Sequence, residues 1–451
     1  MCAECTVRNA CAECAVCAVC AVCPVLRVIV IAVNNLEQHD TSTNNHANDP
    51  HAAFHKAAHA PGMPVIAVIG DGQLARMMHT EAIELGLSLR VLAGSQDASA
   101  AQVTKDVLIG DYTNLDDLHR AVEGAAVTTF DHEHVPTEHL STLIAEGVNV
   151  QPGPDALVNA QDKLVMRKRL RELGAPVPPF AAIETVADAE GFWDAVDGAV
   201  CLKARRGGYD GHGVWFPGSR EELAEVVATL LQAGTPLMAE KKVALVRELS
   251  AMVARTPSGE TKAWPVVESV QTDGICTEAV APAPGLSEDL QTQVRELARN
   301  IATELGVTGA LAVELFETVD VAGQPEIYVN ELAMRPHNTG HWTQDGCVTS
   351  QFEQHLRAVM DYPLGSTELT APVTVMANTL GADEDPEMPM PQRMQEVWRR
   401  YPQAKIHLYG KGHRPGRKLG HVNLTGTDVE RTREAARAAA YFIVHAAWPN
   451  D

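Results

Sequence analysis

The chain has little positive charge to set against its negative charge: 36 Lys and Arg face 58 Asp and Glu in 451 residues, a formal net charge of -22. So acidic a surface repels nucleic acid and anionic membrane alike, which excludes either as the main partner. Any phosphate-bearing ligand must then be caught by local clusters of Lys and Arg. The chain also lacks an apolar run long enough to span a bilayer. Val25 to Val33 is broken by Arg27 and falls far short of the roughly 20 residues a helical span needs. No small-residue cleavage site makes that run a signal peptide. The G-x-x-x-x-G-K-[ST] spacing of a P-loop is absent, so a nucleotide would have to be held in another way. Beyond residue 62 cysteine is scarce and scattered, at Cys201, Cys276 and Cys347, which points to a reduced, cytoplasmic protein rather than a disulfide-stapled one.

Residues 1–62 do not resemble the rest. Seven of the ten cysteines (Cys2, Cys5, Cys11, Cys14, Cys17, Cys20 and Cys23) lie there in a near-repeat of Cys-Ala-Val, followed by a polar stretch rich in His and Asn. Cys-x-x-Cys spacing can chelate zinc, so a metal-binding tail is one reading. The other, favoured because nothing folded surrounds the repeat to fix a geometry, is a disordered extension preceding a protein that starts at Met63. A chain beginning at Met63 is then expected to keep its fold and turnover.

An orderly pattern begins at Val65. Val65-Ile66-Ala67-Val68-Ile69 reads as a buried strand and Gly70-Asp71-Gly72-Gln73-Leu74-Ala75 as a Gly-rich turn; Leu74, Met77, Met78, Ala82 and Leu85 mark one face of a helix that Gly86 ends. The helix N-terminus of such a β-α-β opening can hold a phosphate. A dinucleotide would want an acidic residue at the end of the next strand, but Leu87 to Leu92 runs into Ala93-Gly94-Ser95, with Asp97 too late. A phosphate or sugar ligand is left and NAD loses ground. Another strand, Val127 to Phe130, leads into Asp131-His132-Glu133-His134, where Glu133 is either a ligand contact or part of a solvated turn.

Pro152 and Pro154 mark a boundary. A helix from about Asp162 to Leu173, stopped by Gly174 and Pro176, carries Lys163, Arg167, Lys168, Arg169 and Arg171, most of them expected to face water. Val200-Cys201-Leu202-Lys203 then reads as a strand entering Ala204-Arg205-Arg206-Gly207-Gly208-Tyr209-Asp210-Gly211-His212-Gly213. Glycines this dense, next to a Lys and two Arg, suit a lid whose backbone N–H groups close over phosphates. A plain glycine hairpin is the alternative.

Two apolar runs, Ala310 to Phe316 and the one that leads into the stretch from Tyr328 to Trp342, flank Asp320-Val321-Ala322-Gly323, whose Asp and Gly suit a hairpin turn. Folding about Ala322 brings Glu314 opposite Asn330 and sets Glu314 and Glu331 close together. Two buried carboxylates repel unless a proton or a cation neutralises them. Pairing with nearby Arg or Lys is one solution. Mg²⁺, which takes a few carboxylates plus substrate phosphates, explains the Asn beside them better. Arg335, His337, Asn338 and His341 follow at once and mark Tyr328 to Trp342 as a site.

The order of Lys163, Lys203 with its Gly-rich loop, Glu240-Lys241-Lys242-Val243, Glu248, Glu314 and Asn330-Glu331 resembles the ATP-grasp ligases. Within them it is similar to the N5-carboxyaminoimidazole ribonucleotide synthase family, ATP-dependent carboxylases of purine biosynthesis. The stretches that carry this closer likeness are Gly70 to Met77, Gly207 to Gly213, Arg335 to Trp342 and Arg414-Pro415-Gly416-Arg417-Lys418-Leu419-Gly420-His421. The likeness covers about residues 63–445. Met334 stands where the family usually has Pro, and Lys163 where a basic residue, often Arg, is usual.

The resemblance implies an α/β ATP-grasp protein of three domains: an N-terminal βαβ domain over 63–161, a two-lobed grasp over 162–370 and a C-terminal domain over 371–451, after the extension 1–62. It implies that Lys163 and Lys203 hold ATP phosphates and that Gly208, Tyr209, Asp210, Gly211, His212, Gly213 and Val214 fold over them. Glu240 to Val243 would frame the adenine, main-chain groups of Lys242 and Val243 reading its edge; Glu248 would bind the ribose, with Gln271 and Asn330 as further nucleotide contacts. Glu314 and Glu331 would carry Mg²⁺ or Mn²⁺. Arg335, His337 and Asn338 fall at the reacting centre, where ATP and bicarbonate would give carboxyphosphate. Gln73, Leu74, Glu133, Lys411, Arg414, Arg417 and Lys418 would seat aminoimidazole ribonucleotide, although a basic run like the last four can also be a solvated loop. The implied enzyme is a cytoplasmic homodimer with small-molecule substrates. Three rivals are a formate-using glycinamide ribonucleotide transformylase, a dinucleotide-dependent oxidoreductase, and a non-enzymatic metal-binding protein resting on the Cys-rich tail.

Overall fold

The computed structural model describes residues 58–208, 212–320 and 322–449. The Cys-rich tail, with both readings of it, lies outside the described residues, as do Tyr209, Asp210 and Gly211.

Three sheets follow one another along the chain. The first holds β1 (Val65–Ile69), β2 (Ser88–Ala93), β3 (Asp106–Ile109) and β4 (Val127–Phe130), all parallel in the order β3-β2-β1-β4. Every residue of β1 is buried, as expected of a central parallel strand covered on both faces, and this is why its sequence is apolar without alternation. The helix Gln73–Glu84 buries Leu74, Met77, Met78 and Ala82 as expected, with Ala75 beside them, while Leu85 caps its end and is half-buried. Of the expected extension, residues 58–62 are described, and they pack on this sheet. The Ala60 N–H donates to Ser88 Oγ at 3.0 Å, and His59 Nε2 lies 2.6 Å from Asp106 Oδ2, beside Arg90. A chain starting at Met63 therefore gives up these two contacts.

The second sheet is antiparallel and holds β5 (Phe180–Ile183), β6 (Val200–Ala204), β7 (Val214–Trp215) and β8 (Leu237–Lys241), in the order β5-β8-β6-β7. The Gly-rich loop is the β6–β7 connection. The third sheet is also antiparallel: β9 (Arg247–Arg255), β10 (Thr261–Ala263), β11 (Val267–Thr272), β12 (Ile275–Ala281), β13 (Gly309–Val319), β14 (Pro325–Ala333), β15 (Val373–Leu380), β16 (Lys405–Leu408) and β17 (Lys418–Gly426). Its order is β14-β13-β9-β11-β12-β15-β17-β16, with β10 paired to β9. Because β12 pairs with β15 from Glu278↔Ala377 to Ala281↔Thr374, the sheet runs on past residue 370. The C-terminal strands thus extend the sheet that carries the carboxylate hairpin.

A histidine joins the first sheet to the third. His355, on the helix Gln351–Val359, is fully buried. Its Nδ1 accepts the Ala310 N–H at 3.0 Å, so a neutral ring carries its proton on Nε2, 2.9 Å from Thr129 Oγ1. Burial holds its pKa down to about 3 and keeps the ring neutral. The ring needs Gly309, which has φ +87° and where an added Cβ would lie 2.7 Å from His355 Cε1. Among the described residues no helix is long and apolar enough to cross a membrane.

Gly309→Ala combines a left-handed backbone with this overlap, and the two together cost roughly 2 to 4 kcal/mol. Thermal unfolding of the variant is expected to shift down by several degrees; an unchanged melting temperature would show that His355 does not seat against Gly309.

Candidate active site

A cleft of about 1250 Å³ runs between the second and third sheets and reaches the first. Among the residues singled out in the sequence, Glu133, Lys163, Lys203, Gly208, Val214, Glu240, Lys241, Lys242, Val243, Glu248, Gln271, Glu314, Asn330, Glu331, Arg335, His337, Asn338 and Lys418 line it. His212, Gly213, Gln73, Leu74, Lys411, Arg414 and Arg417 are not in its lining.

The register of the carboxylate hairpin differs from the one expected. Glu314 pairs with Glu331, not with Asn330, and Leu315 pairs next with Val329, so Asn330 is the extra residue of a β-bulge. The turn itself forms as predicted, the Gly323 N–H donating to Asp320 O at 3.0 Å. A bulge breaks the alternation of side chains and re-aims them. Two successive residues, Asn330 and Glu331, consequently both reach the cleft, where Lys203 Nζ donates to Asn330 Oδ1 at 3.3 Å and Lys163 Nζ to Glu331 Oε1 at 2.5 Å.

Glu314 has a different environment. Its Oε1 lies 3.3 Å from His337 Nε2. Burial, with Glu331 and Glu248 nearby, pushes its pKa up to about 8, against the pull of Lys163 and Lys418. His337 cannot supply the missing positive charge, because burial, Arg335 and Lys418 hold its pKa down to about 3. Both carboxylates of the hairpin can therefore be ionised together only if a cation takes the place of the proton on Glu314, a role that suits a divalent cation. Among the described residues no group of three or more His, Cys, Asp or Glu could hold a metal ion. A cation at this pair would thus need ligand phosphates to complete its shell, as Mg²⁺ commonly does.

The two lysines are brought together by the root of the Gly-rich loop. Asp162 caps the helix Lys163–Glu172, accepting from the Leu164 N–H at 3.0 Å and the Val165 N–H at 3.2 Å. The same carboxylate pairs with Arg205 at 2.7 Å and Arg206 at 3.3 Å, while the Lys163 N–H donates to Arg205 O at 2.9 Å. Within the loop, a Cβ on Gly208 would stand 2.7 Å from His212 O, so the chain can close on itself only with glycine there.

Lys168, Arg169 and Arg171 are exposed, as expected of most of this helix's cations, and Arg167 is the exception. It is fully buried, its Nε 2.5 Å from Glu240 Oε1 and its Nη2 donating to Asn330 O at 2.6 Å. Glu240 Oε2 also meets Lys203 Nζ at 2.8 Å. Burial alone would raise the Glu240 pKa, but Arg167 and Lys203 outweigh it and hold the carboxyl down to about 2. The Glu240 side chain is thus an internal counter-ion that fixes Lys203, not a free group beside a base. The Lys242 N–H is likewise committed, donating to Ala199 O at 2.7 Å, so of the main-chain groups expected at a base edge this one is already used. Glu248 lines the same part of the cleft, its carboxyl pushed up to about 7 by burial.

At the far end the third sheet meets the first. Arg335 Nε donates to Glu133 Oε2 at 2.9 Å, which makes Glu133 a partner of the site rather than part of a solvated turn. Glu133 Oε1 and Asn338 Nδ2 are buried without a hydrogen-bond partner, an arrangement that ligand groups commonly complete. Lys411 donates to Gln73 Oε1, and the loop before it is laced to the first domain by Ser99 Oγ to Tyr409 O at 2.6 Å and Gln102 Nε2 to Gly410 O at 2.8 Å. The Leu74 side chain belongs to the apolar core, so only its main chain can face a ligand. The basic cluster is spread out: Lys418 reaches the cleft, whereas Arg417 Nη1 donates to Gly412 O at 3.1 Å outside it.

Sequence reasoning missed Arg167 and Asp131. Asp131 lies buried under the Gly-rich turn, Oδ2 accepting the Gly72 N–H at 2.5 Å, and burial pushes its pKa up to about 7. Its position at the C-terminal end of β4 was the available signal; for Arg167, one of several cations on the same helix, none existed.

Three family models match the chain: a ribonucleotide synthetase preATP-grasp domain over residues 63–161, an ATP-grasp domain over 168–352, and a phosphoribosylaminoimidazole carboxylase C-terminal domain over 374–435. An N5-carboxyaminoimidazole ribonucleotide synthase of Corynebacterium ammoniagenes is 65% identical over 401 residues, covering 87% of this chain and 95% of the relative. That of Mycobacterium leprae is 54% identical over 400 residues, covering 85% and 90%. The crystal structure of the Thermus thermophilus synthetase has a TM-score of 0.75 at 35% identity, covering 86% of this chain and 100% of that one. The Aspergillus clavatus enzyme, solved with ADP and 5-aminoimidazole ribonucleotide, has a TM-score of 0.74 at 28% identity, covering 84% and 99%. With three matched domains in order around a lysine-flanked carboxylate pair, the chain belongs to the N5-carboxyaminoimidazole ribonucleotide synthase family of ATP-grasp ligases.

Proposed function

We propose that the protein carboxylates 5-aminoimidazole ribonucleotide to N5-carboxyaminoimidazole ribonucleotide with ATP and bicarbonate, by way of carboxyphosphate, releasing ADP and phosphate. The observation that carries this reading is the Glu314–Glu331 pair with Lys163, Lys203 and Arg335, all lining one cleft.

Each cation rests against a carboxylate or amide, and Glu240 stays in place as the counter-ion that fixes Lys203. Lys163 sits on Glu331, Lys203 on Asn330 and Glu240, and Arg335 on Glu133. The lysines would hold the nucleotide phosphates and spread the charge of the transferring phosphoryl group. Mg²⁺ or Mn²⁺, held by Glu314 and Glu331, would neutralise charge on those phosphates. Arg335 offers a planar fork to the planar oxyanion of bicarbonate or of the mixed anhydride. The neutral His337 and the unpaired Asn338 amide lie beside it and would orient the same group. Closure of the stretch from Gly208 to Val214 would keep water from the anhydride until it, or the CO₂ it releases, meets the amine. The ribonucleotide phosphate would be seated where Gln73 and Lys411 meet, with Arg414, Arg417 and Lys418 nearby in sequence. A cytoplasmic homodimer is proposed in keeping with the resemblance.

ADP release with ATP, bicarbonate and aminoimidazole ribonucleotide, each omitted in turn, tests the function: loss of turnover on any omission is expected. Turnover that needs formate and glycinamide ribonucleotide instead would replace the reading with the transformylase. Glu331→Gln keeps the side-chain shape but removes one charge, and Mg²⁺-ATP turnover is expected to fall by roughly two orders of magnitude or more while the circular dichroism spectrum is retained; near-normal activity would remove the two-carboxylate metal site. Arg417→Ala is expected to raise the KM for aminoimidazole ribonucleotide by roughly 10- to 100-fold, one charge-assisted contact of about 1.5 to 3 kcal/mol, and to leave the KM for ATP nearly unchanged. Equal weakening of both substrates would place the basic loop over the nucleotide instead.

A further inference from the structure

His337 stands just beyond the end of β14, where its carbonyl accepts the Gly340 N–H at 2.9 Å. One buried side chain also holds both of its main-chain groups. Gln351, the first residue of the helix Gln351–Val359, is fully buried. Its Oε1 accepts the His337 N–H at 2.7 Å, and its Nε2 donates to His337 O at 2.9 Å and lies 2.8 Å from His341 Nδ1. One carboxamide thus clamps both main-chain groups of His337, as a paired strand would. The helix end is fixed in turn, because the Gln351 N–H donates to Thr343 Oγ1 at 2.9 Å, and that hydroxyl donates to Gly340 O at 2.6 Å. An added Cβ on Gly340 would lie 2.5 Å from Gln351 Oε1, so the loop wraps closely around the amide. His341 stacks on His421 of β17, their ring centroids 4.9 Å apart, which braces the other side of the clamp.

With the backbone held, the His337 ring is aimed by a short set of contacts: Nδ1 at 2.9 Å from Thr339 Oγ1, which donates to Ser250 Oγ at 2.8 Å, and Nε2 at 3.3 Å from Glu314 Oε1. Arg335 lies two residues upstream on the same segment. We propose that Gln351 is a positioning residue for the bicarbonate end of the site, setting the Arg335–Asn338 segment through its clamp on His337. This rests on the reading that Arg335 and His337 handle bicarbonate.

The same helix carries an internal control. Gln354 is equally buried and makes the same clamp on another residue: its Oε1 accepts the Gly365 N–H at 2.7 Å and its Nε2 donates to Gly365 O at 3.0 Å. Gly365 does not line the cleft. Gln351→Met and Gln354→Met each remove a two-bond clamp at similar volume, and Gln351→Met also removes the contact with His341, so it is expected to lower the melting temperature at least as much as Gln354→Met. Only Gln351→Met is expected to lower kcat/KM for bicarbonate, by roughly 10- to 100-fold, because small misplacements of reacting groups cost that much; its KM for ATP should stay within about twofold of wild type. Gln351→Asn, which keeps both the acceptor and the donors on a side chain one methylene shorter, is expected to fall between, and it serves as the test if Gln351→Met does not fold. Wild-type bicarbonate kinetics in the Gln351 variants, or equal kinetic losses in the Gln351 and Gln354 variants, would overturn the proposal. A wild-type protein whose ADP release ignores bicarbonate would instead overturn the functional reading beneath it.

Discussion

Glu314 and Glu331 are forced into one another's field by the pairing of β13 with β14, and much of the surrounding structure is arranged around that repulsion. Isolated charges in a low-dielectric interior are costly, so the pair must be neutralised locally. Lys163 takes up Glu331, while Glu314 keeps a raised pKa and a neutral histidine as its neighbour. The proposed cation site rests on this enforced closeness, because a cation beside the pair would let Glu314 give up its proton. The bulge at Asn330 adds the geometric half of the design by turning two consecutive side chains toward the same space.

The lysines that complete the site need holding as well. Lys203 is pinned by Glu240, which is itself compensated by the buried Arg167, and Arg167 returns to the hairpin through Asn330 O. Asp162 binds the base of the Gly-rich loop to the start of the helix that carries Lys163. Two sheets are thereby connected through charge rather than through apolar packing alone. Breaking one partner of such a network leaves the other buried and uncompensated, which is far more damaging than loss of a surface pair.

The C-terminal segment contributes to the site because its strands continue the third sheet. That continuity carries Lys418 into the cleft and His421 against His341, and the preceding loop is laced to the first domain through Ser99, Gln102 and Gln73. The first and last parts of the chain, between which the ribonucleotide site is proposed, are thus mechanically linked.

Local patterns settled a good deal from sequence alone. Apolar runs and glycine punctuation marked β1, the first helix, β6 and the carboxylate hairpin, because strand and helix periodicities are properties of neighbouring residues. The nearness of Glu314 and Glu331 was legible for the same reason, since a hairpin closes over a short loop. The family likeness drew together Lys163, Lys203 and Arg335, which are distant in sequence. Tertiary structure alone decided the rest. A one-residue bulge replaced Asn330 by Glu331 opposite Glu314, and no local signal in the sequence fixes a bulge. Arg167 went inside because Glu240 waits there from another sheet, Leu74 became core, and Glu133 found Arg335 from a distant part of the chain. Whether a charged side chain faces water or a buried partner depends on what the fold brings to it, and that information lies in long-range pairing rather than in the residue's own neighbourhood.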